Sequence, residues 1–420
     1  MDSEMDTTSK ERLNGWKIVK LRDVCAYTLT GGTPSTKIRE YWEGDIPWIT
    51  GADIVNQRVG IIRRFITEDA VQNSSTHVVP RGNLLIVTRT GIGKLAIAPF
   101  DIAISQDITG FIPNCLIDVC YLFWALNKSQ GHLKIFDQGT SINGITREDL
   151  MALRVPLPTL FEQRKIAAIL SSVDAAIQET DAIIAQTEQV KRGLMQELLT
   201  RGIGHTEFRE TKVGWIPVKW EAKTLGDAKI KTQYGLSKAG NSGGKYPIIR
   251  MNNLVDGRVD VSSLQYVDID EIDYNKYRLE NGDILFNRTN SADLVGKTAI
   301  FNLIGNFVFA SYIIRIICKR DVLKPEFLNF YMNWDRSQNR LKLRATTGVS
   351  QSNINAVTLK KFEIPLPPIH EQEQIAAILS SVDKELEAER EHRAWLETVK
   401  TGLMQNLLTG RKRVKVGGYE

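Results

Sequence analysis

The sequence predicts an α+β fold that is built twice, with each globular unit followed by one long helix. Three observations lead to this prediction. A helical segment occurs twice at a separation of 209 residues, short strands and helices mix upstream of each copy, and no apolar run is long enough to span a membrane. A chain of 420 residues with 42% hydrophobic residues has room for two or three domains with substantial cores.

The repeat is strongest in the two helical segments. Residues 162–174 read EQRKIAAILSSVD and residues 371–383 read EQEQIAAILSSVD, so eleven of thirteen positions match. At the same offset, residues 190–200 (VKRGLMQELLT) match residues 399–409 (VKTGLMQNLLT) at nine of eleven positions. Self-similarity at a fixed offset indicates a duplicated structural unit.

Each repeated segment is predicted to form one long helix. In the first copy, Thr159 and Glu162 form a capping box, apolar residues follow at three- and four-residue spacing, and Gly202 marks the end. The second helix is predicted from about Ile369 to Thr409. A helix of about 40 residues spans roughly 60 Å. That length favours a pair of spacer helices over a helix that covers a small core.

The matching blocks flank helix middles that differ. Residues 175–189 and 384–398 agree at only two of fifteen positions. In an antiparallel pair related by a pseudo-two-fold axis, the middles meet each other and the ends remain equivalent, which predicts two docking sites for one kind of partner. The alternative is that the ends pack against their own globular units and diverged slowly. Candidate partner-binding residues are Gln163, Lys191, Gln196, Gln372, Lys400 and Gln405, with Gln163, Gln196 and Gln405 expected at the surface.

The globular units at residues 15–157 and 214–366 mix strands with helices. Their resemblance to each other is weak, and one echo pairs Gly15-Trp16 with Gly214-Trp215. Predicted strands cover residues 83–88 and 283–286, with a longer strand or hairpin at 307–318, and predicted helices cover 119–136 and 325–343.

Glycine-rich loops with polar and basic side chains are candidate DNA contacts. Loops on a rigid scaffold often carry recognition. Arg, Lys, Asn and Gln can bond base edges, and hydroxyl groups suit phosphates. The alternative for any single residue is an ordinary solvated turn. The candidate DNA-binding residues are Thr33, Ser35, Lys37, Thr88, Arg89, Thr90, Lys94, Lys231, Gln233, Lys238, Asn287, Arg288, Asn290 and Lys297.

Composition and motif searches argue against several function classes. A formal net charge of +5 permits a nucleic-acid partner without requiring one. The four cysteines form no CxxC pair, and together with a polar N-terminus they predict a reduced, cytoplasmic protein. The cysteines and histidines do not show the spacing of a zinc site, and no metal site is predicted. The acidic cluster at residues 268–273 is interpreted as a solvated turn rather than a metal site. Gly296-Lys297-Thr298 ends like a phosphate-binding loop, but Ser291 occupies the position of the first glycine. No catalytic residues are predicted.

The doubled arrangement resembles the specificity subunits of type I restriction-modification enzymes. The resemblance rests on the two EQxxIAAILSSVD and VKxGLMQxLLT blocks, on GGTPSTK and GDIPWI in the first unit, and on the I/V-P-L-P-x-x-x-E-Q run before each helix. It covers almost the whole chain. It implies two target-recognition domains in a pseudo-two-fold arrangement, separated by two long helices that form an antiparallel coiled coil. The implied boundaries are 1–157 and 204–366 for the domains, 158–203 and 367–413 for the helices, and 414–420 for a tail.

The resemblance also implies a function. Each domain would read one half of a bipartite site in double-stranded DNA, and the site would be asymmetric because the two domains differ. Two adenine-methyltransferase subunits would dock on the helix ends, and motor-nuclease subunits would join through them. S-adenosylmethionine would belong to the methyltransferase, ATP and Mg²⁺ to the motor-nuclease, and no cofactor to this chain. The alternatives are a nuclease or methyltransferase that acts alone, and a coiled-coil scaffold that binds only protein.

Overall fold

The computed structural model describes residues 12–128, 144–291, 293–347 and 352–414. These residues form two compact units, each of which contains part of both long helices. The first unit comprises residues up to 181 together with 391 onward, and the second comprises residues 182–390. Each unit combines antiparallel and parallel strand pairs with helices, which confirms the predicted α+β class. Most of the predicted tail, residues 415–420, lies outside the described residues.

The long helices confirm their prediction closely. The first spans Leu160–Leu198 and the second spans Ile369–Leu407. The capping box of the first helix is present, because the Glu162 N–H donates to Thr159 Oγ1 (3.3 Å) and the Thr159 N–H donates to Glu162 Oε2 (3.2 Å).

Within each unit the two helices run antiparallel. In the first unit Asp174 pairs with Lys400 and Asp181 pairs with Arg393, so the number rises on one helix while it falls on the other. In the second unit Glu188 pairs with Arg390 and Lys191 pairs with Asp383, in the same sense. Buried leucine and isoleucine side chains pack along these helix pairs: Ile166, Leu170, Ile177 and Leu396 in the first unit, and Ile375, Leu379, Leu386 and Leu198 in the second.

The first unit's domain contains two four-stranded sheets and a small sheet that adjoins the helices. One sheet has the order Leu95–Ile97, Leu84–Val87, Ile108–Pro113, Cys25–Thr30, and the other has the order Phe65–Ile66, Ile46–Ile49, Ile102–Ile104, His77–Val79. Arg12–Leu13, Trp16–Lys20 and Arg154–Leu157 form the small sheet, and Ile54–Val55 pairs with Arg58–Val59. The α-helices are Leu21–Val24, Glu68–Gln72, Val119–Lys128 and Arg147–Ala152, with short 3-10 turns at Arg39–Trp42 and Gly51–Asp53.

The second unit's domain is built around a six-stranded sheet. Its order is Lys231–Tyr234, Ile313–Ile317, Asp283–Asn287, Thr298–Phe301, Gly257–Val259, Leu254–Val255. Three-stranded sheets comprise Gln265–Val267, Tyr246–Ile249 and Val308–Phe309, and Thr289–Asn290, Ser352–Asn353 and Thr346–Thr347. Two-stranded pairs join Phe208–Thr211 to Gly214–Pro217 and Glu221–Thr224 to Glu363–Leu366. The helices are Glu271–Tyr277, Pro325–Asn333, Asp335–Lys342 and Ala356–Lys360, with a 3-10 turn at Met251–Asn253.

Several finer predictions needed correction or completion. The segment 307–318 is two strands with a turn between them, and the helix predicted at 325–343 is broken at Trp334. The helix predicted at 119–136 is described only to Lys128, and residues 129–136 lie outside the described residues.

The sequence echo between the two tryptophans was misaligned. Trp16 begins the strand that pairs with Arg154–Leu157, and the equivalent strand pair in the second unit follows Trp220, not Trp215. The register supports this, because the N–H groups of Leu21 and Leu225 make the same bond to the carbonyls of Leu153 and Phe362 (both 2.9 Å). Trp16 and Trp220 are both buried.

Candidate nucleic-acid interface

Three segments of the first unit meet at one end of its domain. The N–H of Gly32 donates to the carbonyl of Ile104 (2.9 Å). A Cβ added at Gly31 would lie 1.9 Å from the carbonyl oxygen of Ser105, so only glycine allows this close approach. The hydroxyl of Thr33 then donates to Gln106 Oε1 (2.6 Å). The first predicted loop therefore lies directly on the turn at residues 105–107.

The second predicted loop contacts the same turn. The N–H of Thr88 donates to the carbonyl of Asp107 (2.8 Å), and the N–H of Ile145 donates to the carbonyl of Thr88 (2.7 Å). Arg89 and Gln106 are exposed beside these backbone bonds. The two loops that the sequence singled out are thus joined through a third segment, residues 105–107.

The second unit repeats this backbone framework. The N–H of Leu236 donates to the carbonyl of Phe309 (2.8 Å), and a Cβ on Gly235 would lie 2.3 Å from the carbonyl oxygen of Ala310. The N–H of Arg288 donates to the carbonyl of Tyr312 (3.0 Å), and the N–H of Ile354 donates to the carbonyl of Arg288 (2.8 Å). Arg288 therefore occupies the position of Thr88, and the turn at residues 310–312 occupies the position of residues 105–107.

The side chains on the shared framework are unlike. The first unit presents Thr33, Gln106 and Asp107, whereas the second presents aromatic rings and a cation. Tyr312 is 52% exposed, and the Arg288 guanidinium carbon lies 4.9 Å from the centroid of the Tyr234 ring. An arginine stacked on an aromatic ring is held in one orientation with donors still available.

A carboxylate, Asp53, lies in the short 3-10 turn Gly51–Asp53 of the first unit. Asp53 Oδ2 accepts bonds from the Thr50 N–H (2.8 Å), the Thr50 hydroxyl (2.9 Å) and the Arg64 guanidinium (2.7 Å). Burial by itself raises the pKa of Asp53, but these hydrogen bonds and the Arg64 charge outweigh it and hold the pKa below its usual range. Asn253 fills the equivalent position in the second unit, where its Oδ1 accepts from the Arg250 N–H (2.9 Å).

Twelve of the fourteen candidate DNA-binding residues retain some exposure, and two do not. Thr88 and Asn287 are buried because each lies at the end of a fully buried central strand, so neither side chain is presented at the surface. Some exposed candidates are also held by the protein: Lys94 Nζ donates to the Gly51 carbonyl (3.1 Å), Gln233 Nε2 donates to the Lys276 carbonyl (2.7 Å), and Lys238 Nζ bonds the Asp268 carbonyl. The other exposed candidates are Thr33, whose hydroxyl bonds Gln106, and Ser35, Lys37, Arg89, Thr90 and Lys231. Arg288, Asn290 and Lys297 are partly exposed.

Sequence reasoning missed the turns at 105–107 and 310–312. These turns contain Gln106, Asp107, Ser311 and Tyr312, and they connect the predicted loops in both units. Neither turn carries a glycine-rich signature. The only local signal is a pair of polar residues after a short apolar strand.

The glutamine of each EQ pair is a structural residue. Gln163 Nε2 donates to the carbonyls of Pro158 (2.9 Å) and Leu116 (3.1 Å), and its Oε1 accepts from the Asp118 N–H (2.7 Å). Gln372 makes the same three bonds, to the carbonyls of Pro367 (2.8 Å) and Val322 (3.0 Å) and from the Lys324 N–H (2.8 Å). Both side chains are fully buried, so the expected exposure of Gln163 and the partner-binding role of Gln163 and Gln372 are wrong.

The matched lysines also have internal partners. Lys400 Nζ lies 2.6 Å from Asp174 Oδ1, and Lys191 Nζ lies 2.5 Å from Asp383 Oδ1. In each pair the lysine and the aspartate both belong to the matching blocks. The same ion pair between the two helices therefore explains why these residues are identical in both copies of the repeat. For these positions the alternative, packing within the protein, explains the match.

A smaller set of matched residues remains on the surface. Gln196 and Gln405 are exposed, as expected. The same is true of Ala168, Ile169 and Ser172 and of their counterparts Ala377, Ile378 and Ser381. Ile169 is 36% exposed and Ile378 is 38% exposed. An identical, partly apolar strip is therefore presented once in each unit.

The fold defines a class: a protein with two copies of one α+β domain, each followed along the chain by a long helix. Comparison with known families agrees. The family model described as "Type I restriction modification DNA specificity domain" matches residues 14–189 and again residues 217–397. The chain belongs to this family of type I restriction-modification DNA specificity proteins.

Individual relatives support the assignment along the whole chain. The chain is 26% identical over 417 residues to the type I restriction enzyme MjaVIII specificity subunit of Methanocaldococcus jannaschii, which covers 95% of this chain and 93% of that protein. It is 27% identical over 300 residues to the StySPI specificity subunit of Salmonella potsdam, covering 69% of this chain and 65% of that protein. The crystal structure of the S subunit from M. genitalium shares the fold, with a TM-score of 0.62 at 13% identity, covering 97% of this chain and 99% of that one.

Among the described helices, none is both long and apolar enough to cross a membrane.

Proposed function

We propose that the two domains read the unlike halves of an asymmetric, bipartite DNA sequence for a type I restriction-modification enzyme. The observation that carries this proposal is the shared loop framework with different side chains. The backbone bonds that position the loops are the same in both units, whereas the side chains at equivalent positions differ: Thr88 corresponds to Arg288, and Asp107 corresponds to Tyr312. The Tyr234 ring lies beside the Arg288 guanidinium. A common scaffold with unlike contact residues suits the recognition of two different short sequences.

The exposed side chains suggest how each half is read. Gln106 presents an amide whose Oε1 accepts one bond from Thr33 and keeps a second lone pair, so Oε1 and Nε2 can together bond the N6 and N7 edge of adenine. Arg288 presents guanidinium donors oriented by Tyr234, and an arginine suits guanine. Exposed Lys37 and Lys231 supply phosphate contacts, which add affinity without sequence choice.

The repeated surface strip suits two copies of one partner. We propose that each copy, Ala168–Ile169–Ser172 with Gln405 and Ala377–Ile378–Ser381 with Gln196, receives one adenine-methyltransferase subunit. That subunit would bring S-adenosylmethionine, and a motor-nuclease subunit joined through it would bring ATP and Mg²⁺. The chain itself would contribute sequence choice and assembly and no chemical step.

The reading hypothesis is tested by mapping methylated adenines produced by the chain with its methyltransferase. Arg288→Ala is expected to weaken binding by about 1–3 kcal/mol and to relax the choice of base at one position of one half-site. Arg89→Ala tests the first half-site in the same way. Arg278→Ala removes an exposed arginine of the second unit that is not part of these loop segments and serves as the control.

Two outcomes would contradict the proposal. The first is unchanged sequence preference and methylation rate in both the Arg288 and the Arg89 variants. The second is methyl transfer or cleavage by the purified chain alone, which would favour an enzyme that acts without partners. Assembly with a methyltransferase but no DNA binding by the complex would favour a protein-only scaffold.

The docking hypothesis is tested by counting partner subunits with native mass spectrometry. Ile169→Asp and Ile378→Asp should each leave one methyltransferase bound, and the double variant should leave none, because a buried aspartate opposes an apolar contact. Ile183→Asp is a matched control, since Ile183 is also exposed (39%) but lies in the unmatched helix middle. Two subunits bound to the double variant would place the docking site elsewhere.

A further inference from the structure

Each unit carries a two-residue hairpin whose arginine reaches the long helices. In the first unit Val55 pairs with Arg58 across the turn, and in the second Val255 pairs with Arg258. Both turns use two residues with positive φ (49° and 61° in one, 46° and 81° in the other), the conformation of a tight hairpin with a primed turn. The hairpins are therefore equivalent elements of two domains whose other sequences have diverged.

The arginines end on equivalent positions of the two helices. Arg58 lies 2.7 Å from Asp174 Oδ2, and Gln178 Nε2 donates to the same oxygen (2.8 Å). Arg258 lies 2.7 Å from Glu387 Oε2 and donates to the carbonyl of Asp383 (3.3 Å). At the repeat offset of 209, Asp174 corresponds to Asp383 and Gln178 to Glu387. Both hairpin arginines therefore contact the position of Asp174 and Asp383, and Arg258 also forms an ion pair with Glu387 one helical turn further along.

The helix side of each contact is fixed by a second bond. Asp174 also pairs with Lys400, and Asp383 also pairs with Lys191. The hairpin side is fixed to its own domain: the Leu95 N–H donates to Gln57 Oε1 (2.7 Å) in the first unit, and Asn329 Nδ2 donates to the Gly257 carbonyl (2.9 Å) in the second. In each unit the arginine therefore links the hairpin of the domain to the long helices.

Each of these arginine contacts lines a cleft or groove between the domain and the long helices of its unit. In the first unit a cleft of about 370 Å³ is lined by Arg58, Asp174, Trp124 and Cys120. In the second unit a wider groove of about 2290 Å³ is lined by Arg258, Asp383 and Glu387 among others. In the first unit Trp124 Nε1 also donates to Ser171 Oγ (3.1 Å) in this cleft, so the arginine contact is one of the polar bonds that link the domain to the helix there.

We propose that Arg58 and Arg258 are positioning residues that set the angle of each recognition domain on the helices of its own unit, and thereby tune the tolerated distance between half-sites. This inference rests on the proposed reading of a bipartite sequence. The arginines are half-exposed, so each bridge is weak and sensitive to salt, and it can be released without unfolding the domain. A strong buried pair would not permit such adjustment.

The first test measures the bridge without DNA. Cys115 and Cys120 are both exposed, but only Cys120 lines the cleft of the first unit, beside Arg58. In Arg58→Ala a bulky maleimide should label Cys120 about twofold to fivefold faster, the range expected for an exposed ion pair, while labelling of Cys115 stays constant. High salt should accelerate labelling of Cys120 in the unchanged protein. Equal Cys120 rates in both proteins would overturn the proposal for this unit.

The second test measures spacing selectivity in the complex with the methyltransferase. Adding one base pair between half-sites moves them apart by about 3.4 Å and rotates them by about a tenth of a turn. The ratio of methylation rates on native and lengthened DNA should fall about twofold to fivefold in Arg258→Ala. It should fall further in Arg258→Glu and recover in the exchange R258E/E387R. Arg278→Ala breaks an equally exposed ion pair with Glu280 inside the domain and should leave the ratio unchanged.

A merely stabilising pair would lower both methylation rates and leave their ratio unchanged, and that result would overturn the positioning role. Failure of the proposed function is distinguishable. If the unchanged complex methylates neither DNA, the reading hypothesis is wrong, and the thiol measurement still decides whether the arginine bridge holds the domain.

Discussion

The central strands of the two units pair in the same register, but the side chains at equivalent positions of these strands differ. In the second unit Asp283 and Arg315 form a buried ion pair (2.6 Å) on adjacent strands. Strand register places Asn83 and Gly110 at the equivalent positions of the first unit, where a Cβ on Gly110 would lie 2.5 Å from a Val79 methyl. One domain therefore uses a charge pair where the other uses close packing.

This difference shows which features the two domains must keep. The bonds that hold the recognition loops run between backbone groups and recur in both units. They need only glycine at the closest approaches, Gly31 and Gly235. The side chains inside and outside the sheet are consequently free to differ between the two units.

The largest expected effect is a loss of folding stability that is confined to the second unit. Burial raises the pKa of Asp283 even though Arg315 and the Glu280 N–H stabilise the carboxylate. Arg315→Ala would leave that carboxylate buried without a counter-charge, which costs about 3–5 kcal/mol. Hydrogen exchange of the strand Asp283–Asn287 measures the loss, and Arg278→Ala should cost less than about 1 kcal/mol.

The pH dependence of this variant has a definite sign. A carboxyl whose folded pKa lies above its unfolded pKa destabilises the fold when it is ionised, so the destabilisation should shrink as the pH falls through the folded pKa. A loss that is the same at every pH, or one that also appears in the strand Leu84–Val87 of the first unit, would contradict the assignment to the Asp283 charge.

A smaller loss of folding stability should be equal in the two units. Gln163→Ala and Gln372→Ala each remove a side chain that makes three hydrogen bonds to buried backbone groups, and each should cost about 1–3 kcal/mol. Gln196→Ala and Gln405→Ala, on exposed positions of the same helices, should stay within about 0.5 kcal/mol. Urea unfolding of the four variants provides the comparison. Clearly unequal losses for Gln163 and Gln372 would mean that the two helix starts are not equivalent.

The sequence predicted the helices well because their signals are local. The capping box at Thr159 and Glu162, the apolar spacing and the absence of proline all act within a few residues of one another. The function of Gln163 could not be predicted in this way. Its partners Leu116 and Asp118 are more than forty residues away, and burial of a polar side chain depends on such partners being present.

The loops show the same limit. Their composition correctly marked the ends of buried strands, but it did not show that Thr88 and Asn287 point into the domain. Nor did it show that residues 105–107 and 310–312 join the loops, because that junction is made by backbone bonds between distant strands. The tryptophan alignment failed for a related reason: the pairing of Trp16 with Trp220 follows from strand register against the last strand of each domain, not from the adjacent glycine.

The smallest expected effect is a loss of stability at low pH that occurs in the first unit and not in the second. Asp53 and Asn253 accept the same backbone bond, but only Asp53 titrates, and its pKa is lowered by hydrogen bonds from Thr50 and Arg64 against the opposing effect of burial. A carboxyl with a lowered folded pKa stabilises the fold above its unfolded pKa, and this contribution is lost as the pH falls through the folded pKa. Amides near Thr50 should therefore lose protection from hydrogen exchange in acid, whereas those near Arg250 should not. Asp53→Asn should keep the backbone bond, as Asn253 does, and abolish the difference between the units; an acid response that persists in this variant would assign it to another group.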